Sequence, residues 1–325
     1  MRRAGVALVA AAVLGALFAP VLAPHDADER RPALVDSPPT LLRVFGADGR
    51  PHAPFIYRWT LASRLEQRYE LDRTTVVPLV WMHGGRLVQS SDEARAPVFL
   101  LGGDSFGRDV FARLLYGART SLALSLVAAL GATLIGAVLG GLAGYTGGAV
   151  DEALMRASDF VLVLPAMYVA LGLRSVLPLV LAPATVFGLL AAIFAVLGAP
   201  FAARGVRAIV RTESRLDYAL AARSLGAGHW RMLAVHLIPA AGGFMAMQAT
   251  LFVPAFIVAE ATLSYVGLGF PEPVVSWGTM LHDASNIRAL ADFPWLLSPA
   301  AAIFLLVFGL NLTLQRRGGA TIPRI

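Results

Sequence analysis

Six apolar runs constrain this chain more than any other feature: residues 4–24, 118–143, 160–178, 179–203, 240–263 and 296–314. A bilayer core about 30 Å thick takes roughly 20 apolar residues as a helix, and each run is near that length. The pattern predicts an all-α membrane protein with six transmembrane helices and both termini on one side. Composition agrees. Only 15% of the 325 residues are charged, against about 25% in soluble domains. There is no cysteine, which removes disulfides, zinc thiolate sites and thiol nucleophiles. The formal charge of +6 is carried by arginines gathered at the ends of apolar segments, as membrane topology requires. No nucleic-acid partner is expected.

The first run follows Arg2 and Arg3. A cleaved signal peptide begins in the same way. This run, however, is long enough to span, and Pro24 follows Ala23, where a cut would otherwise fall. The reading adopted is a retained first transmembrane helix, residues 1–24. The inside segments would then be 1–3, 145–157, 204–239 and 315–325. They hold Arg2, Arg3, Arg156, Arg204, Arg207, Arg211, Arg215, Arg223, Arg231, Arg316, Arg317 and Arg324. The short outside segments, near 178 and 265–295, hold Arg174 and Arg288. That asymmetry puts both termini, including a tail at 316–325, in the cytoplasm.

Residues 25–112 are rich in charge, proline and aromatics and contain no span-length run. They read as an extracytoplasmic insertion, α/β or mainly β, between helices one and two. Val76–Trp81 and Arg86–Gln89 are expected as short strands around His83-Gly84-Gly85. His25, His52 and His83 lack metal-ligand spacing. They are expected as scattered surface residues, with no metal site.

The core, 113–315, begins with a helix carrying Gly131, Gly136, Gly140, Gly141 and Gly144. Small residues at this spacing let helix backbones approach closely in lipid. Residues 145–159 are expected as a polar link holding Asp151, Glu152, Arg156 and Asp159. Arg174 is expected to snorkel to the interface. Arg204, Arg207, Arg211 and Arg215 form one stripe if the fourth helix continues past the membrane. Such a stripe would face phospholipid headgroups or an acidic partner.

Residues 217–239 are too polar to span, yet they are patterned. Ser214 and Asp217 give a weak capping-box signal. Tyr218, Ala222 and Leu225 then fall at helical spacing, and Gly226 and Gly228 are placed to end that helix. Trp230, Leu233, Ala234 and Leu237 make a second pattern, closed by Pro239. The expectation is a short amphipathic helix, a glycine break and a ramp back into the membrane. Its apolar face must be covered by lipid, by the chain itself or by a cytoplasmic partner. The domain organisation is therefore 1–24, 25–112, 113–315 with a cytoplasmic loop at 204–239, and 316–325.

Little in the sequence suggests catalysis. There is no GxSxG, HExxH or P-loop pattern, so this chain does not hydrolyse ATP by the P-loop route. Intramembrane polar residues carry a functional prior. Gln248 and Thr250 in the fifth helix are candidate translocation-path residues; Glu260, Asn311 and Gln315 are the other polar positions.

Four stretches resemble the permease subunits of bacterial dipeptide/oligopeptide/nickel-type ABC importers, specifically the second permease of the pair. They are LGGDSFGRDVFARLLYGARTSL at 101–122, GYTGGAVDEALMRASDFVLVLP at 144–165, the 217–239 stretch, and AEATLSYVGLGFPEPVVSWGTML at 259–281. The third matches the family's cytoplasmic EAA loop through Asp217, Tyr218, Ala221, Ala222, Arg223, Leu225, Gly226, His236 and Pro239. The resemblance implies an ABC importer permease (MetI-like) core of five helices behind the first. It implies pairing with a homologous permease, two ATPase subunits below that bind the ATP, and an extracytoplasmic substrate-binding protein above. No cofactor is implied for this chain. The helix near 215–225 would be the coupling helix seated on an ATPase. The chain departs from the family where Leu220 replaces the motif glutamate, where Gly103 replaces a threonine, in its C-terminal tail, and in the long insertion. The alternative readings are a membrane-anchored enzyme with its site in the insertion, at His52, His83 or nearby acids, and a scaffold that recruits an ATPase.

Overall fold

The structure is a computed structural model that describes residues 2–45, 51–63, 67–176, 178, 181–285 and 291–314. The tail 316–325, Arg288 and Gln315 lie outside the described residues. The chain forms two compact units. One comprises Met1–Ser121, Ser264–Gly267 and Glu272–Ile325; the other comprises Leu122–Leu263 and Leu268–Pro271.

In the first unit, α1 (Arg2–Leu17) ends at Phe18, and a short α2 (Ala19–Leu22) follows with Pro20 in its first turn. Sixteen residues rise about 24 Å, short of the hydrocarbon core. α1 lies along α12 (Ser298–Leu314). A Cβ on Gly5 would stand 2.7 Å from the Gly309 carbonyl and from Leu312, so glycine sets the approach of the two backbones.

The insertion is mainly β. Its sheet runs β1 (Arg43–Phe45), β2 (Pro51–Ser63), β3 (Arg68–His83) and β4 (Arg86–Ser90), in sequence order and antiparallel throughout. The expected strands fall inside β3 and β4. Gly84 and Gly85 join them at φ +59 and +78, the positive values that a tight hairpin demands of both central residues. β2 was hidden in the sequence by Pro51 and Pro54, which argue against a strand interior. Ile56, Val77, Leu79 and Val88 bury one side of the sheet with Ala96 and Val98.

α3 (Val110–Thr146) runs from the first unit into the second. There follow α4 (Gly148–Val163), α5 (Ala166–Val176) and α6 (Pro183–Glu213). The expected polar link 145–159 is thus helical for most of its length, starting at Gly147 with φ +66. α3 and α6 interlock through small residues. A Cβ on Gly136 would lie 2.5 Å from Ala202 Cβ and 2.8 Å from the Ala199 carbonyl. Gly140 abuts the Ala203 carbonyl in the same way, and Gly144 the Arg207 carbonyl at 2.6 Å. This is the packing helix that the glycine spacing predicted.

The remaining helices are α7 (Asp217–Ser224), α8 (His229–Arg231), α9 (Ile238–Ala240), α10 (Gly242–Tyr265) and α11 (Trp277–Asp283). Among the described residues, four helices are long and apolar enough to cross a membrane: Val110–Thr146, Pro183–Glu213, Gly242–Tyr265 and Pro294–Leu314. A fifth appears if α4 and α5, bent by 87° at Leu164-Pro165, count as one span. Six separate spans are not found, because Phe18 interrupts the first apolar run. Arg174 does not snorkel. It is 2% exposed, and its Nε and Nη1 have no hydrogen-bond partner among the described residues.

Candidate functional site

α7 starts at an extended Leu216 that supplies no side-chain cap. The expected Ser214–Asp217 box does not form. Ser214 is still helical at the end of α6, and its hydroxyl donates back to the Arg211 carbonyl at 3.0 Å. Asp217 sits in the first turn, where a carboxylate complements the helix dipole. Tyr218 donates to Glu213 at 2.7 Å. Burial and that carboxylate push its phenol up to about 12.

The expected apolar face of α7 is divided. Ala222 packs inward with Ala219, which is fully buried, against Val206, Val210, Met232, Leu233 and Leu237. Tyr218, Leu220 and Leu225 face out, Leu225 at 89% exposure. Ala221 and Arg223 are exposed too. The pair 219/222, three apart, is small enough to hold α7 close to its neighbours, and this leaves the large side chains outside. Gly226 ends the helix at φ +85. Gly228 does not take a positive φ; it stands at φ −67, ψ 160 and starts α8.

The second apolar pattern also divides. A π-helical turn covers Met232–Leu237 and widens the helix beyond the 3.6 period. Met232, Leu233 and Leu237 therefore point inward, while Trp230 is 75% exposed and Ala234 is exposed. Next to α7, an open cleft of about 760 Å³ is lined by Leu142, Tyr145 and Thr146 of α3 and by Arg223, Ala227, His229, Trp230 and Leu233. Tyr145 Oη lies 2.9 Å from His229 Nδ1, and the Arg223 guanidinium sits 5.0 Å from the centre of the Tyr145 ring. Neither Tyr145 nor His229 stood out in the sequence, because nothing in their local spacing marks them.

Three of the four arginines of the stripe pair with acids of this chain. Arg204 pairs with Asp159 at 2.5 Å. Arg207 forms a two-point pair with Asp151, and Arg211 reaches Asp151 at 3.8 Å. These acids lie on α4. Arg215 lies past the end of α6 and is exposed. On α10, Gln248 and Thr250 are half-buried, and the Thr250 hydroxyl is spent on the Ala246 carbonyl at 2.8 Å.

In the first unit, the 101–122 and 259–281 stretches meet. Asp104 accepts from the Phe106 and Arg108 amides at 2.9 Å each and from Arg108 Nε at 2.7 Å. Arg108 also reaches Asp283 at 2.7 Å, and Arg113 reaches it at 3.1 Å. Trp277 Nε1 donates to the Leu114 carbonyl at 3.0 Å. Gly103 has no room for a side chain: a Cβ there would run into the Leu34 carbonyl and stand 2.9 Å from Ser37 Oγ. The inserted segment at 34–37 thus explains why threonine is absent.

Of the three histidines, His25 departs from the surface expectation. It is 3% exposed, with Nε2 2.8 Å from Glu93 and Nδ1 3.0 Å from Asp109. His52 and His83 are exposed. Among the described residues, no group of three or more His, Asp or Glu side chains is arranged to hold a metal ion.

The family of binding-protein-dependent transport system inner membrane components matches residues 132–318. The oligopeptide transport system permease protein OppC of Bacillus subtilis (strain 168) is 39% identical over 227 residues, 69% of this chain and 71% of that protein. The dipeptide transport system permease protein DppC of the same organism is 37% identical over 65% of this chain and 64% of that protein. The glutathione transport system permease protein GsiD of Pectobacterium atrosepticum is 34% identical over 68% of this chain and 71% of that protein. With α7 and the stretches that carry the resemblance in place, the chain belongs to the binding-protein-dependent transport system inner membrane components, as a multi-pass permease subunit of the peptide/nickel-type ABC importers without an enzymatic site of its own.

Proposed function

We propose that this chain forms half of the translocation path of an ATP-driven importer of peptides, beside a homologous second permease. Its relatives transport oligopeptides, dipeptides and glutathione, which supports the substrate class. In this reading α1 and α2 together make a sixth span, both termini are cytoplasmic, and 25–112 faces outward toward a substrate-binding protein. The core is 113–315, with the coupling loop at 204–239 and the tail at 316–325. Gln248 and Thr250 border the path.

One observation carries the reading: α7 is rigidly mounted but presents its large apolar side chains outward. Ala219 and Ala222 fix it to the chain. Leu220, Leu225 and nearby Trp230 stay 48%, 89% and 75% exposed. Exposed apolar clusters mark interaction sites. Arg215, Arg223 and Arg231, all exposed, lie before, within and after this stretch, which suits an apolar groove with an acidic rim on an ATPase subunit. Asp217, Tyr218, Leu220, Ala221, Arg223, Leu225 and Gly226 form the contact, with Ala222 behind them against the chain's own core. ATP closing the two ATPases would move α7 and the helices attached to it, a two-state shift favoured by differential ATP affinity.

Co-expression with the companion permease and ATPases tests the reading. The four subunits are expected to purify together and to take up peptide in proteoliposomes when the binding protein and ATP are supplied. Protease added to intact spheroplasts is expected to cut within 30–95 and spare 204–235. The reverse pattern overturns the orientation.

A further inference from the structure

We infer that Tyr145, His229 and Arg223 form a strut that makes α3, and not α6 alone, an output of the coupling helix; the inference rests on the importer reading above. α7 is tied to α6 through the chain itself, by Ser214–Leu216. Ala219 and Ala222 add packing against Val206 and Val210 of the same helix, so these attachments alone would pass a partner's push to α6. The far side of the loop supplies a second attachment. His229 opens α8, and its Nδ1 stands 2.9 Å from the hydroxyl of Tyr145, the penultimate residue of α3. One hydrogen bridges the two, donated by either group according to the imidazole tautomer. Arg223, in the last turn of α7, lays its guanidinium over the same ring at 5.0 Å.

The location argues against a mere packing contact. Tyr145 is half-buried, and Arg223 and His229 are exposed beside an open cleft. Tyr145 packs against the cluster around Ala219 and Met232, but Arg223 and His229 are joined to it by a cation–ring contact and a directional hydrogen bond. Tyr145 also directly follows Gly144, the last of three glycines at which α3 and α6 touch backbone to backbone. A displacement of α7–α8 thus reaches one interlocked helix pair at two points. Two points define a tilt; one defines only a hinge.

Tyr145, His229 and Arg223 are positioning residues, so the test reads coupling rather than activity alone. In proteoliposomes holding the full complex, Tyr145→Phe removes the hydroxyl and keeps the ring under Arg223. His229→Ala removes the other partner, and His229→Asn puts an amide near the Nδ1 position. We expect Y145F and H229A to raise the ATP hydrolysed per peptide imported by at least threefold, with co-purification of the ATPases unchanged. H229N is expected to return to within twofold of the unsubstituted complex. Unchanged stoichiometry in both Y145F and H229A overturns the strut. Should H229A fail to assemble, Y145F, which loses one oxygen atom, decides alone. A complex that binds no ATPase and imports no peptide before any substitution refutes the importer reading instead.

Discussion

His25 and Asp109 are 84 positions apart in the chain, yet Nδ1 of one lies 3.0 Å from a carboxylate oxygen of the other, with both side chains buried. Glu93 closes on the opposite ring nitrogen at 2.8 Å, and Arg31 in turn pairs with Glu93 at 3.3 Å. The two ends of the inserted segment are thereby clasped to the head of α3.

This clasp predicts a pH window. Burial works against the His25 charge, but the hydrogen bonds and charges of Asp109 and Glu93 outweigh it and raise the imidazolium pKa above its usual value of about 6.5. That contribution is complete below pH ~6.5 and is lost as pH rises through the raised value. Burial likewise opposes ionisation of Glu93, but His25, the Ser90 amide and Arg31 overcome it and lower its carboxyl below the usual ~4.3. Its share is lost as pH falls through the lowered value. Proteolysis of 25–100 in the detergent-solubilised chain should be slowest between these limits. His25→Gln should abolish the alkaline rise in cutting rate. A rate flat from pH 5 to 9 contradicts the clasp.

Asp283 holds two buried arginines, Arg108 at 3% and Arg113 at 5% side-chain exposure. Removing one partner of a buried pair strands the other charge, at about 3–5 kcal/mol. Asp283 is itself 21% exposed, and Arg108 keeps Asp104. Asp283→Ala is therefore expected to cost about 3 kcal/mol, read as a lower thermal midpoint in detergent.

Gly140→Val should prevent α3 from seating on α6, since a side chain there meets the Ala203 carbonyl. The expected result is loss of monodisperse protein on size exclusion. Gly172→Ala, where nothing lies within 4 Å, should leave the yield unchanged.

Ala219 and Leu225 separate mounting from docking. Ala219→Asp buries a charge without a partner and should destabilise the chain, lowering its midpoint and its yield. Leu225→Asp changes an exposed position. It should leave the midpoint alone while reducing ATPase co-purification at least tenfold.

The membrane character, the packing role of the α3 glycines, the β3–β4 hairpin and the existence of a short helix at 217 were all legible in the sequence. Each rests on a local period or a turn residue, and local spacing survives without knowledge of the fold. The matching stretches at 101–122 and 259–281 were equally visible, although their meeting through Leu114 and Trp277 was not.

What the tertiary structure alone decided is which side of each pattern faces inward. The spacing of Tyr218, Ala222 and Leu225 is helical, but it is Ala219 and Ala222 that pack against Val206 and Val210 of α6, and Tyr218 and Leu225 stay outside. The 204–215 stripe reads as free charge until α4 brings Asp151 and Asp159 against it. His25 reads as a surface histidine until Glu93 and Asp109 arrive from 68 and 84 residues away. Charges meet according to distance in space, and a linear sequence records only distance along the chain.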